Sequence, residues 1–201
     1  MIRVKNESAI SLVEVLATIV ILSIVSALAY SLLFQGYSNY QRIQAETELR
    51  DEADLIMASF IYELFTLKTS EVKTITSACT NNSTTDSFLS IKKNNTLPIS
   101  DTGFKTGNVS GIINQSAVVN GKIVQFNNKN VKLVPNKCGV KIYNSIVATP
   151  SPNPTESAPR EYTIKFRLET FKGKTPHSLD FENTVQIIDD TKEAKTSATT
   201  P

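Results

Sequence analysis

The chain has 201 residues, of which 40% are hydrophobic and 20% charged, and it carries a formal net charge of +2. This length fits one or at most two modest domains and excludes a large multidomain enzyme. The apolar residues are concentrated near the N-terminus, where Glu14 is the only charged side chain between Ser8 and Gln41. That distribution excludes an ordinary soluble globular protein.

The first predicted element is an apolar helix over residues 10–34. As a helix these 25 residues span about 38 Å, which is enough to cross a bilayer with tilt. Arg3 and Lys5 precede the run and the next basic residue is Arg42, so we expect a cytoplasmic N-terminus and an outward-facing remainder. A cleaved secretory signal is the competing interpretation, although its apolar core usually has only about 7–15 residues.

Glu14 is unusual inside this apolar run. A carboxylate in a membrane helix costs roughly 2.5–3.5 kcal/mol and normally has a partner, yet no basic residue of the same helix can reach it. The glutamate follows a short basic leader and the residues Ala9, Ile10, Ser11, Leu12 and Val13. The helix itself therefore does not supply the partner that this carboxylate needs.

The stretch AISLVEVLATIVIL resembles the N-terminal signature of type IV pilins and type II secretion pseudopilins. The resemblance implies cleavage by a prepilin peptidase between Ala9 and Ile10 and N-methylation of Ile10. It also implies that Glu14, at the fifth mature position, pairs with the terminal amine of a neighbouring subunit. Ala9 and Ile10 replace the family's usual glycine and phenylalanine, and Ser31 stands where major pilins often carry a proline. These departures favour a minor subunit.

The resemblance further implies an α+β fold, in which a long N-terminal helix packs on a mainly antiparallel sheet. The expected partners are other pilin subunits, the prepilin peptidase, a membrane platform protein, an assembly ATPase and the lipid bilayer. The expected location is the bacterial cytoplasmic membrane and then a surface or periplasmic filament. A plain single-pass anchor, left unprocessed, is the alternative.

The predicted division is a leader over 1–9, a membrane helix over 10–34, an amphipathic helix over 35–68, a β-rich domain over 69–188 and a disordered tail over 189–201.

An amphipathic pattern continues the helix beyond Gly36. Six apolar residues recur at intervals of three or four, which places them on one helical face: Leu49, Ala53, Ile56, Phe60, Leu64 and Leu67. The remaining positions predict a solvated, mainly acidic surface formed by Glu46, Glu48, Arg50, Asp51, Glu52 and Asp54. No proline interrupts residues 10–68, so we expect one helix with Gly36 as its bend. A coiled-coil dimer is the alternative partner for the apolar face.

Strand patterns follow residue 69. In residues 162–171, apolar side chains alternate with polar ones, and Asn120-Gly121 is a strong hairpin signal within residues 117–126. Further strands are predicted over 131–134, 140–147 and 179–188, with weaker candidates over 72–75 and 88–91. We expect one largely antiparallel sheet packed on the helix. The proline-rich segment 148–159 predicts an exposed loop with its flanking strands paired, and the chain is expected to fray from Asp189.

Cys79 and Cys138 are the only cysteines, and both lie on the predicted outer side. A disulfide is the simplest use of this pair, and in the loop-entropy model it contributes roughly 4 kcal/mol. Free buried thiols remain the alternative. Two cysteines and one distant histidine do not predict a metal site.

No pattern in the sequence predicts catalysis or a cofactor. His177, the only histidine, lies in the turn-like stretch GKTPHSLD, with no acid or nucleophile at triad spacing. Asp180, Glu182, Asp189 and Asp190 raise the alternative of a calcium cluster, but strand alternation and the start of the tail explain them equally well. We therefore expect neither an enzyme nor a metal protein.

Lysines without acids mark residues 102–155. Such a region attracts DNA phosphates, as a DNA-uptake pilus requires. Lysines on strand faces are also an ordinary solvated surface that discourages aggregation, which is the alternative. The six lysines are Lys105, Lys122, Lys129, Lys132, Lys137 and Lys141.

Overall fold

A computed structural model describes residues 11–80, 84–93, 98–109, 112–139, 142–149, 161–173 and 175–190. The chain divides into two compact units, Met1–Gln44 and Ala45–Pro201. The first unit contributes only helix to the described structure. The second contains both β-sheets and the hydrophobic core. The fold is α+β, as predicted.

The helix α1 covers Leu12–Phe65. At its start, the carbonyl of Ser11 accepts the backbone N–H groups of Glu14 and Val15 at 3.0 and 3.2 Å, as expected for a residue that precedes a helix. We predicted that the helix would reach residue 68, which was wrong by three residues. Lys68 adopts an extended conformation, because its N–H bonds the carboxylate of Glu71 at 3.0 Å instead of continuing the helix.

The predicted apolar stripe of the helix forms one side of the core. All six residues are at most 2% exposed, including Leu67, which lies just beyond the helix end. Side chains from both sheets of the same chain cover the stripe. Three ring contacts run through this core, from Phe60 to Phe104 at 5.3 Å, then to Phe166 at 6.0 Å and on to Phe181 at 5.4 Å. Each fully buried ring contributes about 1.5–3 kcal/mol.

The first sheet has five antiparallel strands in sequential order. Asn120 and Gly121 connect the last two with φ values of 50° and 74°, which are the left-handed values that a two-residue type I′ turn needs. The predicted hairpin is therefore confirmed. The strands are β1 (Val72–Thr80), β2 (Thr84–Ile91), β3 (Ser100–Val109), β4 (Ile112–Val119) and β5 (Lys122–Ile123).

The second sheet is built around its longest strand. Its strands are β6 (Lys132–Leu133), β7 (Ser145–Thr149), β8 (Glu161–Lys172) and β9 (Thr175–Gln186). β9 pairs with β8 along its whole length, while β6 and β7 pair with two successive stretches of β8. The four inward residues of β8 are at most 1% exposed, as the alternation predicted: Tyr162, Ile164, Phe166 and Leu168.

The structure corrects three predictions about the sheets. The described residues form two sheets rather than one, and the sequence analysis missed β3 entirely. His177 lies in β9 opposite Thr170, not in a turn, because the chain reverses around Gly173, whose φ is 62°. The expectation that strands pair across the proline-rich segment is confirmed, since Thr149 pairs with Glu161. Ala148 and Thr149, which were predicted to lie in the loop, belong to β7, and the rest of the segment, 150–159, lies outside the described residues.

The end of β9 continues into ordered contacts. Ile188 bridges to Lys68, and its backbone exchanges hydrogen bonds with Leu67 and Thr69, both at 2.9 Å. The carboxylate of Asp190 accepts hydrogen bonds from the hydroxyls of Thr69 and Ser70. The prediction that the chain frays from residue 189 was therefore wrong for residues 189 and 190. Residues 191–201 lie outside the described part.

Candidate functional site

Glu14 lies in the first turn of α1 and is exposed. A carboxylate at this position is favoured by the positive end of the helix dipole, by about 0.3–1 kcal/mol. The nearest basic residue on the C-terminal side of the sequence is Arg42, 28 positions further along. Within the described part of the chain, no cationic side chain pairs with Glu14. Its charge remains available to a group outside these residues.

The apolar part of α1 has no cover within its own unit. Every side chain from Leu12 to Phe34 is exposed, and α1 is the helix, among those described, that is long and apolar enough to cross a membrane. Monomeric soluble proteins rarely expose such a continuous apolar surface. This exposed apolar surface is consistent with membrane anchoring.

A comparison with protein families explains this combination of an early glutamate and an exposed apolar helix. Residues 4–30 match the family model of the prokaryotic N-terminal methylation motif. The chain carries the N-terminal motif of type IV pilin-like proteins. The match covers the pilin signature and ends at residue 30. Among curated proteins and among solved structures, nothing matches the chain significantly.

The predicted processing site of this pilin-like chain lies inside the matched motif. Ala9 and Ile10 are both within residues 4–30, but they lie outside the described residues. Their roles in cleavage and methylation therefore stay predictions, as does the role of Glu14 in assembly. What the structure adds is local: α1 begins two residues after Ile10.

A disulfide joins Cys79 of β1 to Cys138, between β6 and β7, with their Cα atoms 5.8 Å apart. The hydroxyl of Thr85 lies 3.6 Å from one sulfur and 3.8 Å from the other. The bridge connects the first sheet to the long segment that leads into β7. It therefore restrains a stretch of the pilin-like chain that has little regular structure of its own.

A buried amide cluster fixes the same segment, and the sequence analysis missed it. Asn136, Asn144 and Gln115 are each at most 5% exposed. Asn144 donates to the side-chain oxygen of Gln115 at 2.7 Å and accepts the backbone N–H of Arg167 at 2.9 Å. The Asn144 side chain thus accepts a backbone N–H of β8 in the gap between the stretches that pair with β6 and with β7. Nothing in the local sequence signals it, because its partners come from distant segments.

Two acids on the helix have structural roles, so the prediction of a solvated, mainly acidic surface was wrong for Glu48 and Glu52. Glu52 is 3% exposed, and its carboxylate accepts the backbone N–H groups of Asn127 and Asn128 at 3.0 and 2.6 Å. Glu48 pairs with Lys172 at 2.5 Å. These bonds attach a loop and the β8–β9 turn region to α1 in the second unit.

The lysines predicted to attract DNA differ in their surroundings. Lys105 lies 2.6 Å from Asp101, and Lys132 lies 3.2 Å from Glu169, so acids from outside the acid-free interval neutralise both. The remaining described ones are exposed and have no acidic partner within the described ranges: Lys122, Lys129 and Lys137. Lys141 lies outside the described residues. The absence of acids from residues 102–155 therefore overstates how many of the six lysines carry an unpaired positive charge.

The acids considered for calcium are used in other contacts. Asp180 pairs with Arg167, and Glu182 lies 2.9 Å from Lys165. Hydrogen bonds from the Ser70 side chain, followed by Thr69, lower the pKa of Asp190 below its usual value. Across the residues that the structure describes, no group of three or more histidines, cysteines or acids is placed to hold a metal ion.

Proposed function

We propose that the chain is a minor pilin or pseudopilin, a structural subunit of a type IV pilus or a type II secretion-like filament. A prepilin peptidase removes residues 1–9, and Ile10 becomes the N-methylated terminus of the mature protein. The mature helix anchors the subunit in the cytoplasmic membrane before assembly. A platform protein and an ATPase encoded elsewhere then move it into the filament, at the surface or in the periplasm.

One observation carries the proposal: the N-terminal methylation motif over residues 4–30 ends within an exposed apolar helix whose early glutamate has no described partner. A carboxylate in the membrane costs roughly 2.5–3.5 kcal/mol. Cleavage after Ala9 creates a positive amine four residues before Glu14. Pairing of this amine with Glu14 of a neighbouring subunit offsets the cost, and the buried pair sets the register between subunits.

The role that follows is structural rather than catalytic. The apolar segment of α1 supplies the filament core by exchanging lipid contacts for contacts with other subunits. The second unit, stabilised by its own core and disulfide, supplies the outward surface. The matched motif ends before the second unit begins, so a ligand of that unit is not part of this proposal.

Mass spectrometry of the mature N-terminus tests processing. We expect co-expression with a prepilin peptidase to remove residues 1–9 and leave a methylated Ile10. Ala9→Phe should abolish cleavage because a bulky side chain does not fit beside the scissile bond, whereas Asn6→Phe, a matched change away from the bond, should be cleaved. An intact leader in the unaltered chain, with active peptidase present, contradicts the proposal and leaves a single-pass membrane protein.

A second candidate function is DNA capture by the exposed lysines, which Lys122, Lys129 and Lys137 favour because they lack acidic partners in the described ranges. Contacts with phosphates release counterions, so affinity should fall steeply with salt. A titration of duplex DNA with the full chain in detergent, at two salt concentrations, tests this. The triple change of these lysines to glutamine should remove binding, whereas Lys165→Gln, in an ion pair, should retain it. Equal binding by both variants argues against this function.

A further inference from the structure

The end of the apolar helix carries an aromatic band, defined here as Tyr30, Phe34, Tyr37 and Tyr40. Three of the six tyrosines of the chain lie within these eleven residues. All four rings are exposed, by 62–72%, and the Tyr30 and Phe34 rings stack at 6.5 Å. At 3.6 residues per turn, the four positions fall within about 120° of the helix circumference. The band is therefore a one-sided stripe and not a scatter of rings.

The band lies where the apolar run gives way to polar sequence. From Leu12 to Phe34 the helix axis rises about 33 Å, close to the roughly 30 Å thickness of a bilayer hydrocarbon core. Counted from the same point, Tyr37 and Tyr40 lie about 38 and 42 Å along the axis, whereas the outer headgroup layer ends at roughly 35–38 Å for an untilted helix. The band thus spans one membrane–water interface, from Tyr30 near the end of the hydrocarbon core to Tyr40 on its water side.

The chemistry of the tyrosines suits that interface. Each ring is apolar, and each hydroxyl needs a hydrogen-bond partner. Within the described residues, no group forms a hydrogen bond with the hydroxyl of Tyr30, Tyr37 or Tyr40. Tyrosine is enriched at membrane interfaces because the ring contacts acyl chains while the hydroxyl reaches headgroups and water. Arg3 and Lys5 precede the helix in the sequence, and basic residues beside a membrane helix favour the cytoplasmic side.

We propose that the aromatic band binds the headgroup region of the outer leaflet and fixes the depth of the helix in the bilayer before assembly. The partner is a phospholipid surface, contacted by one face of the helix. Interfacial residues of this kind set the depth and tilt of a membrane helix. The inference rests on the membrane insertion contained in the proposed function and adds the residues that position the inserted helix.

The absence of tryptophan from the chain makes a direct test practical. A single substitution, Tyr37→Trp or Leu22→Trp, gives the full chain one tryptophan, whose fluorescence is measured in phosphatidylcholine vesicles. The lipids are brominated either near the headgroup or near the chain end. We expect the headgroup bromines to quench tryptophan at position 37 more strongly, and the chain-end bromines to quench tryptophan at position 22 more strongly.

The two reporters separate failure of the inference from failure of the proposed function. If neither lipid quenches tryptophan at position 22, the helix does not insert, and the membrane step of the proposed function is wrong together with the inference. If position 22 reports a deep location while position 37 is unquenched, or is quenched more by the chain-end bromines, insertion stands and the interfacial band is wrong.

A second measurement tests whether the band fixes depth. In the Leu22→Trp chain, we replace Tyr30, Tyr37 and Tyr40 by serine. Leu22 lies near the middle of the apolar run, so any displacement brings it closer to the headgroup bromines and raises the ratio of shallow to deep quenching. The control Tyr62→Ser, an exposed tyrosine of α1 outside the band, should leave the ratio unchanged. An unchanged ratio in the triple variant overturns the inference.

Discussion

The two units of the chain differ in what covers their apolar side chains. In the second unit, the stripe of α1 is covered by two sheets of the same chain, and its side chains are at most 2% exposed. In the first unit, the apolar residues of the same helix are all exposed. Hydrophobic burial stabilises the second unit within one molecule, whereas the first unit gains that burial only from lipid or from other subunits.

The acids of the helix show the same difference. Glu52 satisfies its carboxylate with two backbone N–H groups of its own chain. Glu14 finds no partner within the described residues. A buried charge that is satisfied internally contributes to the fold, and one that is left open favours association with a partner. The comparison separates an acid that its own chain satisfies from an acid for which we propose a partner in another subunit.

Removal of the first unit's apolar residues is expected to have the largest effect. A fragment that begins at residue 36 should be soluble without detergent and retain the near-ultraviolet circular dichroism of the full chain, since its core lies within the second unit. The full chain should require detergent or vesicles. The measurement is sedimentation combined with circular dichroism. Aggregation of the fragment, or loss of its tertiary signal, shows that the second unit depends on the apolar segment.

Truncation of the central core ring has the next largest effect. Phe60 is completely buried and contacts Phe104, so Phe60→Ala should lower the free energy of unfolding by about 3–5 kcal/mol through lost burial and the cavity left behind. Urea denaturation of the soluble fragment measures it. Tyr62→Ala, two residues away and 75% exposed, should cost less than about 0.5 kcal/mol. Similar losses in both variants contradict the assignment of the helix faces.

A substitution at Gly103 tests how closely the backbones of β2 and β3 approach each other. The φ of Gly103 is +154°, and an added Cβ would lie 2.3 Å from the carbonyl oxygen of Ser87 and 2.4 Å from Cα of Phe88. Gly103→Ala should therefore cost about 3 kcal/mol, from overpacking and backbone strain together. Gly107→Ala is the matched control in the same strand, since its Cβ would meet only the Asn114 carbonyl at 4.0 Å. Equal unfolding midpoints for the two variants would show that the backbone of β2 leaves room for a Cβ atom at position 103.

The predictable parts of the fold are those with local patterns. The helix stripe and the inward face of β8 follow from periodicities of 3.6 and 2 residues, and Asn120-Gly121 gives the hairpin directly. β3 was missed because Gly103 and Gly107 weaken its strand pattern, and Gly103 is needed only because another strand lies against it. Within the candidate site, the position of Glu14 was readable from the sequence, whereas the pairing of the lysines depended on Asp101, just outside the acid-free interval, and on Glu169, which is distant in the sequence.

Glu52 also depends on partners that are distant in the sequence, the backbone N–H groups of Asn127 and Asn128. Its removal should have an intermediate effect on the free energy of unfolding. Glu52→Ala leaves the backbone N–H groups of Asn127 and Asn128 without their acceptor, which should cost about 1–3 kcal/mol. Asp54→Ala, an exposed acid on the same helix, should change the free energy of unfolding by less than about 0.5 kcal/mol. Urea denaturation of the soluble fragment measures both variants. Equal effects would mean that Glu52 is as solvated as its pattern suggested.

Asp190 should give the smallest effect, and one that depends on pH. Hydrogen bonds from the Ser70 side chain and then from Thr69 lower the pKa of Asp190 below its usual 3.8. A group whose pKa is lower in the folded state stabilises the fold above its unfolded pKa, and this contribution disappears as the pH falls through the folded value. The difference in melting temperature between the unaltered fragment and Asp190→Asn should therefore be larger at neutral pH and shrink in acid below the usual carboxyl pKa. A difference that stays constant across this range would mean that the Asp190 carboxylate does not favour the folded state. Such a result would also mean that the Asp190 contacts with Thr69 and Ser70 do not stabilise the end of β9 against the second unit.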